Sequence, residues 1–149
     1  MDWNHYRFRS LWDLPAPPDA VYAVLEAPEG YPLWWPHVRA VTRLDAHSAT
    51  ARIRAFLPYT LDLTLTARRR DPAARVLETT LTGDLEGWAR WTLTSLGPRR
   101  THALYEQDVH VRSPLLRRLA VPGRPLLRAN HTLMMRAGQR GLTAHLKAV

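Results

Sequence analysis

Between Val38 and Arg112 hydrophobic and polar positions alternate with a period of two, and turn signals interrupt the alternation at short intervals. The segment predicts a meander of about six strands. The runs are Val38 to Leu44, Ser48 to Leu57, Tyr59 to Arg68, Arg75 to Asp84, Glu86 to Leu96 and Thr101 to Arg112. The third is the most regular: Tyr59, Leu61, Leu63 and Leu65 share one face, and Thr60, Asp62, Thr64 and Thr66 the other. In the second, Ala51, Ile53, Ala55 and Leu57 stand opposite Arg52 and Arg54. The triplet Arg68-Arg69-Arg70 reads as a turn. Alternation is weakest between Arg75 and Leu96, where a one-residue slip would exchange buried and exposed faces. Connections this short join antiparallel neighbours.

The flanks follow other rules. Trp3 to Trp12 alternates and is aromatic-rich, predicting an opening strand that ends at Pro15-Ala16-Pro17-Pro18. Asp19 is placed to cap a short helix over Ala20 to Leu25, stopped by Pro28 and Gly30. Tyr31 to Pro36 is too rich in proline for more than one helical turn within a loop. From Pro114 the period becomes helical, with Leu116, Leu119, Leu127, His131, Met134, Gly138 and Leu142 recurring along one stripe. The helix predicted from about Leu126 to Leu146 has a stripe wider than a surface helix needs, so it faces an apolar concavity. Only a sheet curled around that helix buries both apolar faces, giving an α+β fold.

A chain of 149 residues, 46% of them hydrophobic, is sized for a single domain over residues 1–149 with one core. It has no cysteine, which excludes disulfides, thiolate metal sites and cysteine nucleophiles. No bilayer span and no signal-peptide pattern are visible, so a cytoplasmic location is expected. The net charge of +8 raises nucleic acid or an acidic surface as partner. The arginines are spread along the chain, however, and no nucleic-acid motif accompanies them, which argues against nucleic acid. The histidines show no metal-binding spacing, and no phosphate loop or nucleophile elbow occurs. Neither a metal nor a cofactor is expected.

The element order β-α-α-β6-α resembles the helix-grip fold of the START/Bet v 1 (SRPBCC) superfamily, with about seven strands around a long C-terminal helix. Three segments are similar to its polyketide cyclase/dehydrase-like branch: Tyr31-Pro32-Leu33-Trp34-Trp35-Pro36-His37-Val38, Gly83 through Leu93 with Trp88 and Trp91, and Asn130-His131 followed by Met134, Met135 and Gly138 through Leu142. The resemblance runs from end to end. It implies a cavity for a small hydrophobic or aromatic molecule in a monomer or homodimer, and it brings no catalytic motif that maps residue by residue.

Ligand contacts are therefore expected from Trp34, Trp35, Ile53, Leu61, Leu63, Trp91, Tyr105, Gln107, Leu127, Asn130, His131 and Met134. Adjacent tryptophans point in different directions, so one of Trp34 and Trp35 faces the ligand and the other serves as core. Asn130 and His131 interrupt an apolar helix and need partners there. Tyr105 and Gln107 enter the cavity if their strand turns Glu106 and Asp108 outward. If the protein is an enzyme, a cyclase or dehydrase, His131 is the acid or base and Tyr105 donates a hydrogen bond to a carbonyl. Glu86, Trp88 and Arg90 share an outer face, with Arg90 paired to Glu86 or Glu78. Binding of an acidic partner or membrane surface by a basic scaffold is a third reading of the charge.

Overall fold

The computed structural model describes residues 4–54, 59–118 and 123–148. The strands are β1 (His5–Leu14), β2 (Val38–Arg43), β3 (Ser48–Arg54), β4 (Thr60–Asp71), β5 (Val76–Gly83), β6 (Leu85–Gly97) and β7 (Arg100–Val111). The helices are α1 (Pro18–Leu25), α2 (Pro114–Arg118) and α3 (Arg124–Lys147), with a 3-10 segment at Pro28–Leu33. All strand pairs are antiparallel, in the spatial order β1-β7-β6-β5-β4-β3-β2. The sheet is curved, and α3 lies across its concave face in the helix-grip arrangement.

Three local expectations are corrected. The N-cap of α1 is Pro17 and no side chain caps it: Pro18, with φ preset by its ring, starts the helix and leaves Asp19 in the first turn. Val21, Tyr22 and Leu25 then share the buried face. The Arg68-Arg69-Arg70 triplet is not a turn but part of β4, where a register shift lies between Ala67 and Arg69. This bulge inverts the side-chain phase. Arg69 pairs across from the outward Glu78, and Arg70 from the inward Leu77. The opening strand begins at His5, and Trp3 falls outside the described residues, as do positions 55–58 and Leu119.

Two clusters form the core. One gathers Trp12, Trp34, Trp35, Trp91, Leu93, Met135 and Leu142 with the buried face of α1. The other joins Tyr6, Leu61, Leu81, Val109, Val111, Leu116 and Leu127. In the first, Trp34 and Trp35 stack at 5.4 Å, and Trp12 meets both at steep angles. Two glycines of α3 admit this cluster, one a tryptophan backbone and the other a ring. A Cβ on Gly141 would lie 1.7 Å from the Trp34 carbonyl oxygen, and one on Gly138 2.6 Å from the Trp35 ring. The close approach lets Trp35 Nε1 donate to the Met134 carbonyl at 2.9 Å. Thr101, fully buried, donates to the Ala16 carbonyl at 2.7 Å and ties the chain after β1 to β7.

Candidate functional site

The period of two in β3 to β7 puts one side chain in two on the concave face, and α3 covers that face without filling it. A cavity of about 230 Å³ remains. Its walls take Ile53 from β3, Leu61 and Leu63 from β4, Leu77, Thr79 and Leu81 from β5, Ala89 and Trp91 from β6, and Tyr105, Gln107 and Val109 from β7. Leu127, Asn130, His131, Met134 and Met135 of α3 form the lid. Exposed side chains of Glu26, Arg43, Arg69 and Arg70 line it as well, marking a mouth beside the β2–β3 and β4–β5 turns. The phase change at the β4 bulge brings Arg70 to this rim, where it donates to the Ala46 carbonyl at 3.0 Å.

Of the residues expected to contact a ligand, all but Trp34 line this cavity. Trp34 is 5% exposed and turns into the core against Trp12 and α3, while its neighbour Trp35 takes the cavity side. On β7 the inward phase carries Tyr105 and Gln107. Outside, Asp108 accepts from Arg7 at 3.0 Å and contacts His5 at 2.6 Å, and Glu106 lies 3.4 Å from Arg90. Arg90 also pairs with Glu78 at 3.1 Å and stacks over Trp88, whereas Glu86 bonds Arg112 rather than Arg90.

The polar groups of the cavity form two sets. In the first, the Tyr105 hydroxyl donates to Gln107 Oε1, and His131 Nε2 lies 3.4 Å from the same oxygen. The His131 ring stacks on Phe8, centroids 3.7 Å apart and planes within 8°. Burial lowers the His131 pKa to about 4, so the imidazole is neutral near pH 7. Burial likewise drives the Tyr105 hydroxyl well above the ordinary phenol range. In the tautomer that carries the proton on Nε2, the neutral imidazole joins the Tyr105 hydroxyl as a second donor to Gln107 Oε1, and the two together fix the side-chain amide. Among the described residues no protein acceptor is found for the Gln107 amide N–H groups. In the second set, Asn130 Nδ2 donates to the Tyr59 hydroxyl at 3.0 Å and approaches Met134 Sδ at 3.2 Å, and burial pushes the Tyr59 pKa up to about 12.

Sequence reasoning missed Phe8, Tyr31 and Tyr59 as wall residues. Tyr59 was visible as the first member of the Leu61, Leu63, Leu65 face. Phe8 carries its signal only through the β1–β7 register, which sets it opposite Gln107. Among the described residues no cluster of three or more metal-ligating side chains occurs, and no helix is long and apolar enough to cross a membrane.

The profile of the family described as polyketide cyclase / dehydrase and lipid transport matches residues 14–130. The fold is similar to that of the Zhui aromatase/cyclase from Streptomyces sp. R1128, with TM-score 0.81, 18% identity, and coverage of 96% of this chain and 94% of that one. A protein from Thermus thermophilus matches with TM-score 0.80 and 17% identity over 96% and 98% of the two chains. A START superfamily protein from Mycobacterium smegmatis gives TM-score 0.65 and 20% identity over 89% and 97%. No curated protein matches the sequence.

Proposed function

As the chain belongs to the polyketide cyclase / dehydrase and lipid transport family, we propose that it binds a small aromatic or otherwise hydrophobic molecule bearing a carbonyl or similar acceptor oxygen. One observation carries this reading: an apolar cavity in which Gln107 is locked by Tyr105 and His131 with its amide donors free to meet a ligand. Trp35, Trp91 and Phe8 offer flat surfaces for a ring, and Met134 and Met135 adapt to its outline.

A second reading, a cyclase or dehydrase acting on a bound polyketide-like substrate, draws support from His131 and Tyr105 meeting at Gln107. Their pKa shifts weigh against it. A histidine near pKa 4 is a weak base and no acid at neutral pH, and a raised tyrosine does not release its proton there. Both groups orient better than they transfer protons.

The test is a comparison of acetylnaphthalene with ethylnaphthalene, a pair differing chiefly in one carbonyl oxygen. Tryptophan fluorescence titration is expected to show saturable binding, with the ketone favoured by about fivefold to tenfold, the worth of one hydrogen bond. Gln107→Met is expected to remove that preference while retaining the hydrocarbon. Binding of neither compound, or a preference that survives Gln107→Met, would overturn the proposal.

A further inference from the structure

Arginine is spread along the chain, but carboxylate is not. Every Asp and Glu lies at or before Asp108, where thirteen carboxylates meet thirteen arginines. The remaining residues contain seven arginines and Lys147 with no acid, so they hold the whole net charge of +8. The two regions differ in structure as well. On the sheet, Arg7, Arg43, Arg52, Arg68, Arg69, Arg90 and Arg100 all reach a carboxylate within 3.1 Å. On α3, among the described residues, Arg136, Arg140 and Lys147 have no ion-pair partner. No carboxylate within the helix could provide one.

The outer face of α3 combines that charge with exposed apolar side chains. Leu126, Ala129, Leu133, Arg136 and Arg140 project from the side opposite the buried Leu127, Gly138 and Leu142. Leu126 is 58% exposed and Leu133 44%. The helix extends about 36 Å at the standard rise, giving a long ridge of leucine and unpaired cation.

We propose that this ridge docks on an anionic lipid surface, with Leu126 and Leu133 entering the interface and Arg136, Arg140 and Lys147 resting on lipid headgroups. Unpaired cations beside exposed leucines match the two layers such a surface offers, negative headgroups and apolar chains. Nucleic acid would use the charge and leave the leucines wet. The proposal is independent of what the cavity holds, though α3 is also its lid, so docking would place the cavity against the lipid.

Cosedimentation of the full chain with phosphatidylglycerol-containing vesicles, beside pure phosphatidylcholine vesicles, tests it. Preferential binding to the anionic vesicles is expected. Removing two cations with Arg136→Gln/Arg140→Gln should weaken it by roughly tenfold or more. Leu126→Ser/Leu133→Ser should weaken it severalfold and abolish the part that survives high salt. The control Arg52→Gln/Arg54→Gln removes the same charge from the sheet and should leave binding nearly intact. Circular dichroism melts establish that the variants, all altered at exposed positions, are folded. No preference for anionic vesicles would overturn the proposal, as would leucine variants that bind like the parent, which points to a purely ionic partner such as nucleic acid or an acidic protein. A control as weak as the α3 charge variant would also overturn it, since net charge rather than this face would then govern.

Discussion

The two halves of α3 meet the same sheet in opposite ways. Around Gly138 and Gly141 the gap is closed to contact distance by Trp12, Trp34 and Trp35, with a ring or a carbonyl wherever a Cβ would have been. About two to three turns earlier, around Asn130 and His131, the helix carries larger polar side chains and the sheet stands off far enough to leave a cavity. Small residues on the helix thus accompany the filled end, and large ones the open end. The contrast teaches that the cavity is held open by the tight end: fixing the helix on its glycines sets the height at which its other half rides over the strands.

Breaking the tight end should have the largest effect. Gly141→Ala puts a methyl group into the Trp34 backbone, which cannot swing aside as a side chain could. A loss above about 3 kcal/mol is expected, lowering Tm by roughly 6 °C or more in thermal denaturation. An unchanged Tm would show that the helix is free to ride higher, and that the tight end does not set its position.

At the open end the next largest effect is a pH dependence. The fold holds His131 neutral down to about pH 4, whereas an unfolded histidine takes its proton near about pH 6.5. Across that window the unfolded chain binds a proton that the folded chain refuses. This contribution to stability is therefore complete above about pH 6.5 and falls as the pH drops toward 4. Denaturant titration should lose up to about 3 kcal/mol on this account, and His131→Phe, which keeps the stacking on Phe8, should flatten that part of the slope. Parallel pH profiles for the two proteins would refute the assignment.

Tyr59→Phe should have the smallest effect. It removes the oxygen that accepts from Asn130 Nδ2 at 3.0 Å. About 1 kcal/mol is expected in the same titration. A much greater loss would mean that this second polar set, rather than the glycine contact, positions the front of the helix.

Much of this was legible from periodicity. Strands β2 to β7 and α3 follow from alternation of two against a period near four, and once the inward phase of β7 is chosen, Tyr105 and Gln107 enter the cavity together. What escaped the sequence depends on single-residue offsets. The β4 bulge converts a run of three arginines from a turn into a strand with reversed facing, and nothing in Arg68-Arg69-Arg70 announces which residue is extra. Choosing Trp35 over Trp34 required the axis of the Pro28–Leu33 segment, which proline content obscures. The α1 start went to Pro18 rather than to an Asp19 cap because a proline can begin a helix without a side-chain acceptor.

The pairing of β1 with β7 also bears on the order of events in folding. Strands β2 through β7 follow one another at short separations in the sequence and can zip neighbour to neighbour, but His5 meets His110 and Leu14 meets Thr101, partners separated by most of the chain. Closing so long a loop carries the greatest chain-entropy cost of any pairing in the sheet, and contacts this distant slow the search for the native state. Phe8, the stacking partner of His131, arrives with that strand. The wall beneath the lid is thus assembled from the two strands farthest apart in the sequence, and a ribosome must deliver β7 before β1 can contribute to it.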